Sequence, residues 1–307
     1  MARPDEHDRS PHQPREPHRP TPRAEGPGPF TTRETWRPPS GGTVVWESRL
    51  ARRRGRLVVR PAGVGGGRQA GAEPGVLVRL RRLNAVAAGA FVVGGALFAV
   101  GAAIAQFGSG DATTCASVYF VGGLFFTTGG YVSLLQVVNA PRHVPGGEGA
   151  LVAGRWRWWS YEPMRVDWLS TFVLFAGTLV FGVDLFGSFL QGLTVRQVNR
   201  LVWAPDVIGC VLFLVSGRLA FLEISHGRRH RPRPRRLPQL LPGQHGLGWW
   251  IVAVNQLGSV LFMVSALAAY TRPATGSLVN ADISNWGTLT GALCFSLGGV
   301  LQLFERP

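Results

Sequence analysis

Residues 84–107 read NAVAAGAFVVGGALFAVGAAIAQF, a run with no charged side chain. At about 1.5 Å of helical rise per residue this run exceeds the roughly 30 Å of hydrocarbon in a bilayer. A helix packed inside a water-soluble protein would show a polar stripe every third or fourth position, and none is present. The run is therefore read as a membrane-spanning helix. Residues 116–138, 168–190, 205–224, 249–270 and 285–304 qualify by the same reasoning. Trp158, Trp159, Trp168, Trp203, Trp249, Trp250 and Trp286 gather at the edges of these spans. An indole prefers that depth because it is half wet and half apolar. Asp167 is expected to cap the third helix, Pro205 to open the fourth, and Ser284 or Asn285 to cap the sixth.

The spans define the fold class: an all-α polytopic membrane protein with its transmembrane domain over residues 83–307. The formal charge of +15 is carried by arginine, since the chain has no lysine. That choice, with heavy use of Ala, Gly and Val, is the composition of a GC-rich bacterial genome. Arg142, Arg155, Arg157 and Arg165 follow the second span, and Arg228, Arg229, Arg231, Arg233, Arg235 and Arg236 follow the fourth. The opposite loops hold only Arg196, Arg200 and Arg272. Arginine excess marks the cytoplasmic side, so both termini are expected there, in a bacterial inner membrane. Residues 1–42, with ten prolines, are expected to be disordered. Residues 43–82 are expected to be a basic juxtamembrane segment; within it, residues 43–60 are read first as a solvated linker, with a small hairpin or an interfacial segment on anionic headgroups as the alternatives. No nucleic-acid partner is expected. The partner is the bilayer itself, with anionic lipid in reach of the arginine-rich tail and loops.

Self-comparison exposes a repeat. Gly122, Gly209 and Gly291 are each followed four residues on by Phe126, Phe213 and Phe295, then by Gly129, Ser216 and Gly298, and by a further glycine. Gln136, Glu223 and Glu305 close the three series. The odd helices carry Gly94–Phe98, Gly177–Phe181 and Gly258–Phe262. The pattern predicts three repeated two-helix hairpins, with Gly122, Gly129, Gly209, Ser216, Gly291 and Gly298 as a packing seam. Small residues let helix backbones approach closely where lipid supplies no hydrophobic driving force.

Ionisable groups inside spans are candidate functional positions because hydrocarbon does not solvate them. Asp184 is about 24 Å and Arg218 about 10 Å along their helices from the cytoplasmic ends, too far apart in depth to pair. Asp184 is expected to be wet, and Arg218 to reach headgroups or Glu305. Glu223 and Glu305 sit at helix C-termini, where the dipole disfavours an anion, and Arg228, Arg229 and Arg306 are the expected counter-charges. Asn255 and Gln256 are expected to hydrogen-bond across to another helix.

No HExxH, GxSxG, Walker or CxxC pattern occurs. His226 and His230 have helical metal spacing, yet they lie among arginines that disfavour a cation. Cys115, Cys210 and Cys294 make neither a disulfide framework nor a ligand cluster. No enzyme activity, metal or cofactor is expected.

Trp203-Ala204-Pro205-Asp206 with Gly209, Phe213-Leu214-Val215-Ser216 and Glu223 resembles bacterial multi-pass membrane proteins of the YrhK-like type. Asn255-Gln256-Leu257-Gly258-Ser259 and Asn285-Trp286-Gly287-Thr288, leading into Gly291–Phe295, share the resemblance, which covers residues 155–305. It implies a bacterial membrane protein and carries over no functional residue; Arg218 departs from the pattern. The first expectation for function is a structural or interaction component of the membrane, and the second a small-solute transporter or channel.

Overall fold

The computed structural model describes residues 22–62, 67–108, 111–143, 149–152, 154–229 and 246–305, without the side chains of 226–229. The chain begins with an antiparallel five-stranded meander: β1 (Arg23–Glu25), β2 (Arg33–Trp36), β3 (Thr43–Glu47), β4 (Arg56–Arg60) and β5 (Arg68–Gly71). Helix α1 (Ser48–Arg54) lies between β3 and β4, whose register pairs Thr43 with Arg60 and Val45 with Val58. Gly55 ends α1 by taking the left-handed conformation, φ 56°, and returning its N–H to Ala51.

These strands overturn two expectations. Residues 22–42, read as disordered, contain β1 and β2, and the basic segment after them is ordered rather than a solvated linker. The rest of the tail, residues 1–21, lies outside the described residues. The order comes from a small apolar core in which Trp36, Val44, Trp46 and Leu57 meet Val76, Leu80 and Leu151. No short window contains that set, so local composition underestimates what the segment can bury. The all-α class thus holds for the membrane part of the chain alone.

Six helices are long and apolar enough to cross a membrane. They are α2 (Pro74–Phe107), α3 (Ala112–Val138), α4 (Val166–Gly187), a composite of α5 (Val195–Val198), a π-helical turn (Asn199–Trp203) and α6 (Ala204–Arg229), then α7 (Leu247–Ala268) and α8 (Ala281–Phe304). A short ladder, β6 (Arg142–His143) with β7 (Leu151–Val152), lies between α3 and α4.

Three helix starts differ from expectation. Arg165 holds the N-cap position of α4, and Asp167 lies inside the helix, fully buried against the Arg165 guanidinium at 2.7 Å. Pro205 opens nothing, because the chain is already helical from Val195. A proline has no N–H for the carbonyl four residues back and its ring crowds that carbonyl, and the preceding π turn widens the spacing there. The cap of α8 is Asn280, which accepts from the Ile283 N–H at 2.9 Å, and neither Ser284 nor Asn285.

In chain order each long helix packs on the next, and α8 closes on α2, making a ring. Lipid-type surface covers its outside, with Val86, Val93, Leu124, Leu179, Ile208 and Leu293 all exposed. Neighbours cross at glycines. A Cβ added to Gly122 would lie 3.2 Å from the Gly94 carbonyl oxygen, one on Gly209 3.3 Å from that of Gly177, and one on Gly291 3.0 Å from that of Gly258. Inside the ring, each helix sends one phenylalanine to the axis. Phe98, Phe181 and Phe262 have ring centroids within 6.3 Å of one another. Phe126 and Phe213 lie 5.3 and 6.3 Å from Phe295, in a second layer. The two layers touch through Phe98–Phe126, Phe181–Phe213 and Phe262–Phe295.

Gly258→Ala places its methyl 2.9 Å from the Gly291 carbonyl oxygen, whereas Gly89 has nothing within 4 Å of an added Cβ. Gly258→Ala is expected to destabilise by about 1–3 kcal/mol, the range for overpacking. Gly89→Ala is expected to be neutral or slightly stabilising. Melting temperatures of the detergent-solubilised variants check the contrast.

Candidate functional site

The phenylalanine layers divide the ring axis into two cavities. We call the end bearing the sheet the near side, and the other the far side. The far cavity has a volume of about 330 Å³ and draws lining residues from all six long helices. Phe98, Phe181 and Phe262 form its floor, and Tyr119, Asp184, Asp206, Ser265, Asn285 and Thr288 its walls. Ser265 donates to or accepts from Thr288 at 2.7 Å and also bonds the Ser284 carbonyl at 2.6 Å. The Cys210 thiol donates to Asp206 Oδ1 at 3.5 Å. Asp184 is 8% exposed. It was expected to be wet; the structure largely buries it and places it in the wall of this cavity.

The near cavity, about 120 Å³, is lined by Ser133, Gln136, Ser170, Thr171, Ser216, Asn255, Ser259 and Gln302, with Phe213 and Phe295 at its floor. Ser170 and Ser216 bond reciprocally, each hydroxyl donating to the other's carbonyl at 3.0 and 2.9 Å. The mouth is covered by α1, which presents Arg49, Arg52 and Arg53. Arg52 donates to Glu223 Oε2 at 3.0 Å and Ser48 to Glu223 Oε1 at 2.9 Å. Arg49 donates to Glu305 Oε1 at 2.7 Å, and Arg53 lies 3.7 Å from Glu305 Oε2. Arg53 also donates to Asn84, whose amide bonds the Gln302 carbonyl at 3.0 Å.

These pairs give Glu223 and Glu305 counter-charges that the sequence reading did not anticipate. Their cations come from α1, 171 residues from Glu223 in sequence and 256 from Glu305. Arg306, the arginines from Arg228 to Arg236 and the His226–His230 pair lie outside the described residues and side chains. Burial opposes ionisation of Glu305, yet Arg53 and Arg49 together hold its carboxyl below the ordinary value. Burial lowers Arg53 to about 10, with Glu305 working against the shift.

A second anchor ties the sheet to the ring. The Thr31 N–H donates to the Met164 carbonyl at 2.7 Å, and the Arg165 guanidinium sits 5.5 Å from the Trp46 ring centroid. Glu162, bonded to Arg142 and Arg165, is also held below the ordinary carboxylate value: burial opposes the shift and the Arg165 charge outweighs it.

Of the expected membrane-depth positions, the structure sends Asp184 to the far cavity, Asn255 to the near cavity, and Glu223 and Glu305 to the α1 contact. Arg218 is exposed on the outside of the ring, apart from both cavities, and Glu305 is taken by α1. Asn255 packs against Gly298 and Gln256 against Gly217, each filling the gap a glycine leaves; no cross-helix bond from either amide occurs among the described residues. Gly129 faces the Phe91 ring and Ser216 faces Ser170.

Asp206 was missed as a membrane-depth acid. A helix start at Pro205 put it in the first turn, whereas the start at Val195 puts it inside. The signal was present: Thr194 and Gln197 form a capping box, and T-x-x-Q before a periodic run marks a helix start. The cap helix α1 left no comparable mark, because its partners are distant in sequence.

The fold and these cavities define a polytopic helical membrane protein with polar space on its axis. Comparison with known proteins finds no matching family model, no matching curated protein and no matching solved structure.

Two outcomes follow from the α1 contact. Arg52→Ala leaves Glu223 buried without its cation and is expected to destabilise by about 3–5 kcal/mol, with Arg52→Ala/Glu223→Ala recovering much of the loss. Chemical denaturation of the four species closes the cycle. Glu305 and Glu162 have lowered folded values, so their contribution is complete above the ordinary 4.5 and is lost as pH falls through the lowered values. Melting temperature is therefore expected to be flat from neutral pH down to that point and to drop below it.

Proposed function

We propose that this chain is a conduit for small solutes across a bacterial plasma membrane, a transporter or channel held in a closed state. The observation that carries the reading is the pair of polar cavities on one axis, separated by two layers of phenylalanines in edge-on and tilted contact. A ring built for scaffolding alone has no need of polar space at its centre, since unfilled volume in a core is destabilising. Both cavities exceed the volume one water needs and offer it polar partners.

On this reading the three glycine–phenylalanine hairpins are repeated units, each supplying one phenylalanine to each layer. The near side is cytoplasmic on this reading, by the arginine excess in the sequence after the second and fourth spans, α3 and α6, whose C-terminal ends lie there. The sheet and α1 then form a cytoplasmic cap whose arginines close the near cavity. The resemblance to YrhK-like membrane proteins is part of this proposal, as is the absence of enzymatic chemistry.

A second reading, an interaction component at the membrane surface, is favoured by one observation. Arg54, Arg56, Arg60, Arg79, Arg81 and Arg82 are exposed on the near side, where anionic headgroups would attract them. The two readings are compatible, because the exposed arginines that would meet lipid are different residues from Arg49, Arg52 and Arg53, which hold α1 to the ring.

Proteoliposome uptake of rubidium and methylammonium tests the conduit. Phe126→Ala, which opens a gap in the inner layer, is expected to raise flux above wild type, and Asp184→Asn to lower it. Absence of flux from wild type, Phe126→Ala and Arg52→Ala alike would sink the reading.

A further inference from the structure

We propose that the far cavity is a binding site for a small alkylammonium cation, held by Asp184 and Asp206 against the aromatic floor. This deepens the conduit reading and takes it as its frame.

The two aspartates line one cavity. No arginine or histidine is among the lining residues. Asp184 is more than nine-tenths buried, and among the described residues its carboxylate accepts no hydrogen bond. Asp206 has only the weak thiol donor of Cys210. A carboxylate buried away from protein partners is unfavourable unless water, a cation or a proton reaches it. The open side of the cavity is the route by which a cation arrives.

The rest of the lining selects the kind of cation. A bare metal ion needs a shell of about six oxygen ligands, whereas Ser265 and Thr288 bond each other and Ser265 also bonds the Ser284 carbonyl. No group of three metal-ligating acidic, histidine or cysteine side chains occurs among the described residues. Beside the carboxylates the lining carries four aromatic rings, Phe98, Phe181, Phe262 and Tyr119, together with the Asn285 amide and small polar and aliphatic side chains. Aromatic rings attract a positive charge spread over an organic group, and they also bury its methylenes. The volume of about 330 Å³ is at the small end of the range for organic ligands and far above that of an ion.

Isothermal titration of the full-length protein in nanodiscs tests this at equilibrium, so failure of the site is separable from failure of flux. The probes are diaminobutane, tetramethylammonium, the neutral analogue butanediol, and sodium chloride. Wild type is expected to bind diaminobutane and tetramethylammonium and to ignore butanediol. Asp184→Asn and Asp206→Asn are expected to weaken binding by about 10- to 100-fold, as when one charged contact is removed, and Asp282→Asn, at the surface, to leave it unchanged. The contrast between diaminobutane and butanediol needs no variant, so misfolding of a substituted protein does not blunt the test. Wild type that melts normally yet binds neither ammonium overturns the proposal. So does butanediol binding as well as diaminobutane, or sodium displacing both ammonium probes at equal concentration.

Discussion

The close approach of helix backbones at Gly94–Gly122, Gly177–Gly209 and Gly258–Gly291 governs the rest of the membrane domain. In hydrocarbon, apolar side chains gain little by leaving the solvent, so helices associate through shape fit and dispersion. A glycine crossing supplies that fit by letting one backbone lie on another. With the crossings occupied by backbone, the bulky residue one turn away must turn inward. Six phenylalanines therefore meet on the axis, each four residues from its glycine. The same step creates the cavities, because two layers of rings fill the middle of the ring and leave its two ends to smaller polar side chains.

Charge is partitioned by the same geometry. The far end holds two carboxylates and no base in its lining, while the near end receives three arginines against two glutamates. The near-end pairs are mutually compensating: removing a partner from either would leave a buried charge. That makes α1 a firmly seated part of the assembly. It also explains why α8 tolerates a glutamate at its C-cap, where the dipole is unfavourable, whereas Glu223 lies inside α6, which runs on to Arg229. The far end has no such compensation, which is why its acids point to a ligand from outside.

Much of the candidate site was visible in the chain as separate parts. Gly-xxx-Phe on every span, Asp184 at depth and Glu305 at a helix end are legible, because periodicity and hydrocarbon solvation act on each residue locally; Glu223, expected at a helix end, lies inside α6 because that helix runs on to Arg229. Their assembly was not. The sheet formed by residues 23–71 depends on Trp36 and Trp46 meeting Leu80 and Leu151. Asp206 joined the site only once the π turn carried the helix back to Val195.

By itself the sequence determined six membrane-length helices, their connections and the glycine–phenylalanine spacing, since each follows from the length, polarity and size of neighbouring residues. Tertiary structure alone decided that α8 closes on α2, that Asp184 shares a cavity with Asp206, and that Arg49, Arg52 and Arg53 answer Glu223 and Glu305. The physical reason is separation: a charge can be neutralised by any cation that packing brings within a few ångströms, and packing between distant segments leaves no trace in the spacing of either one.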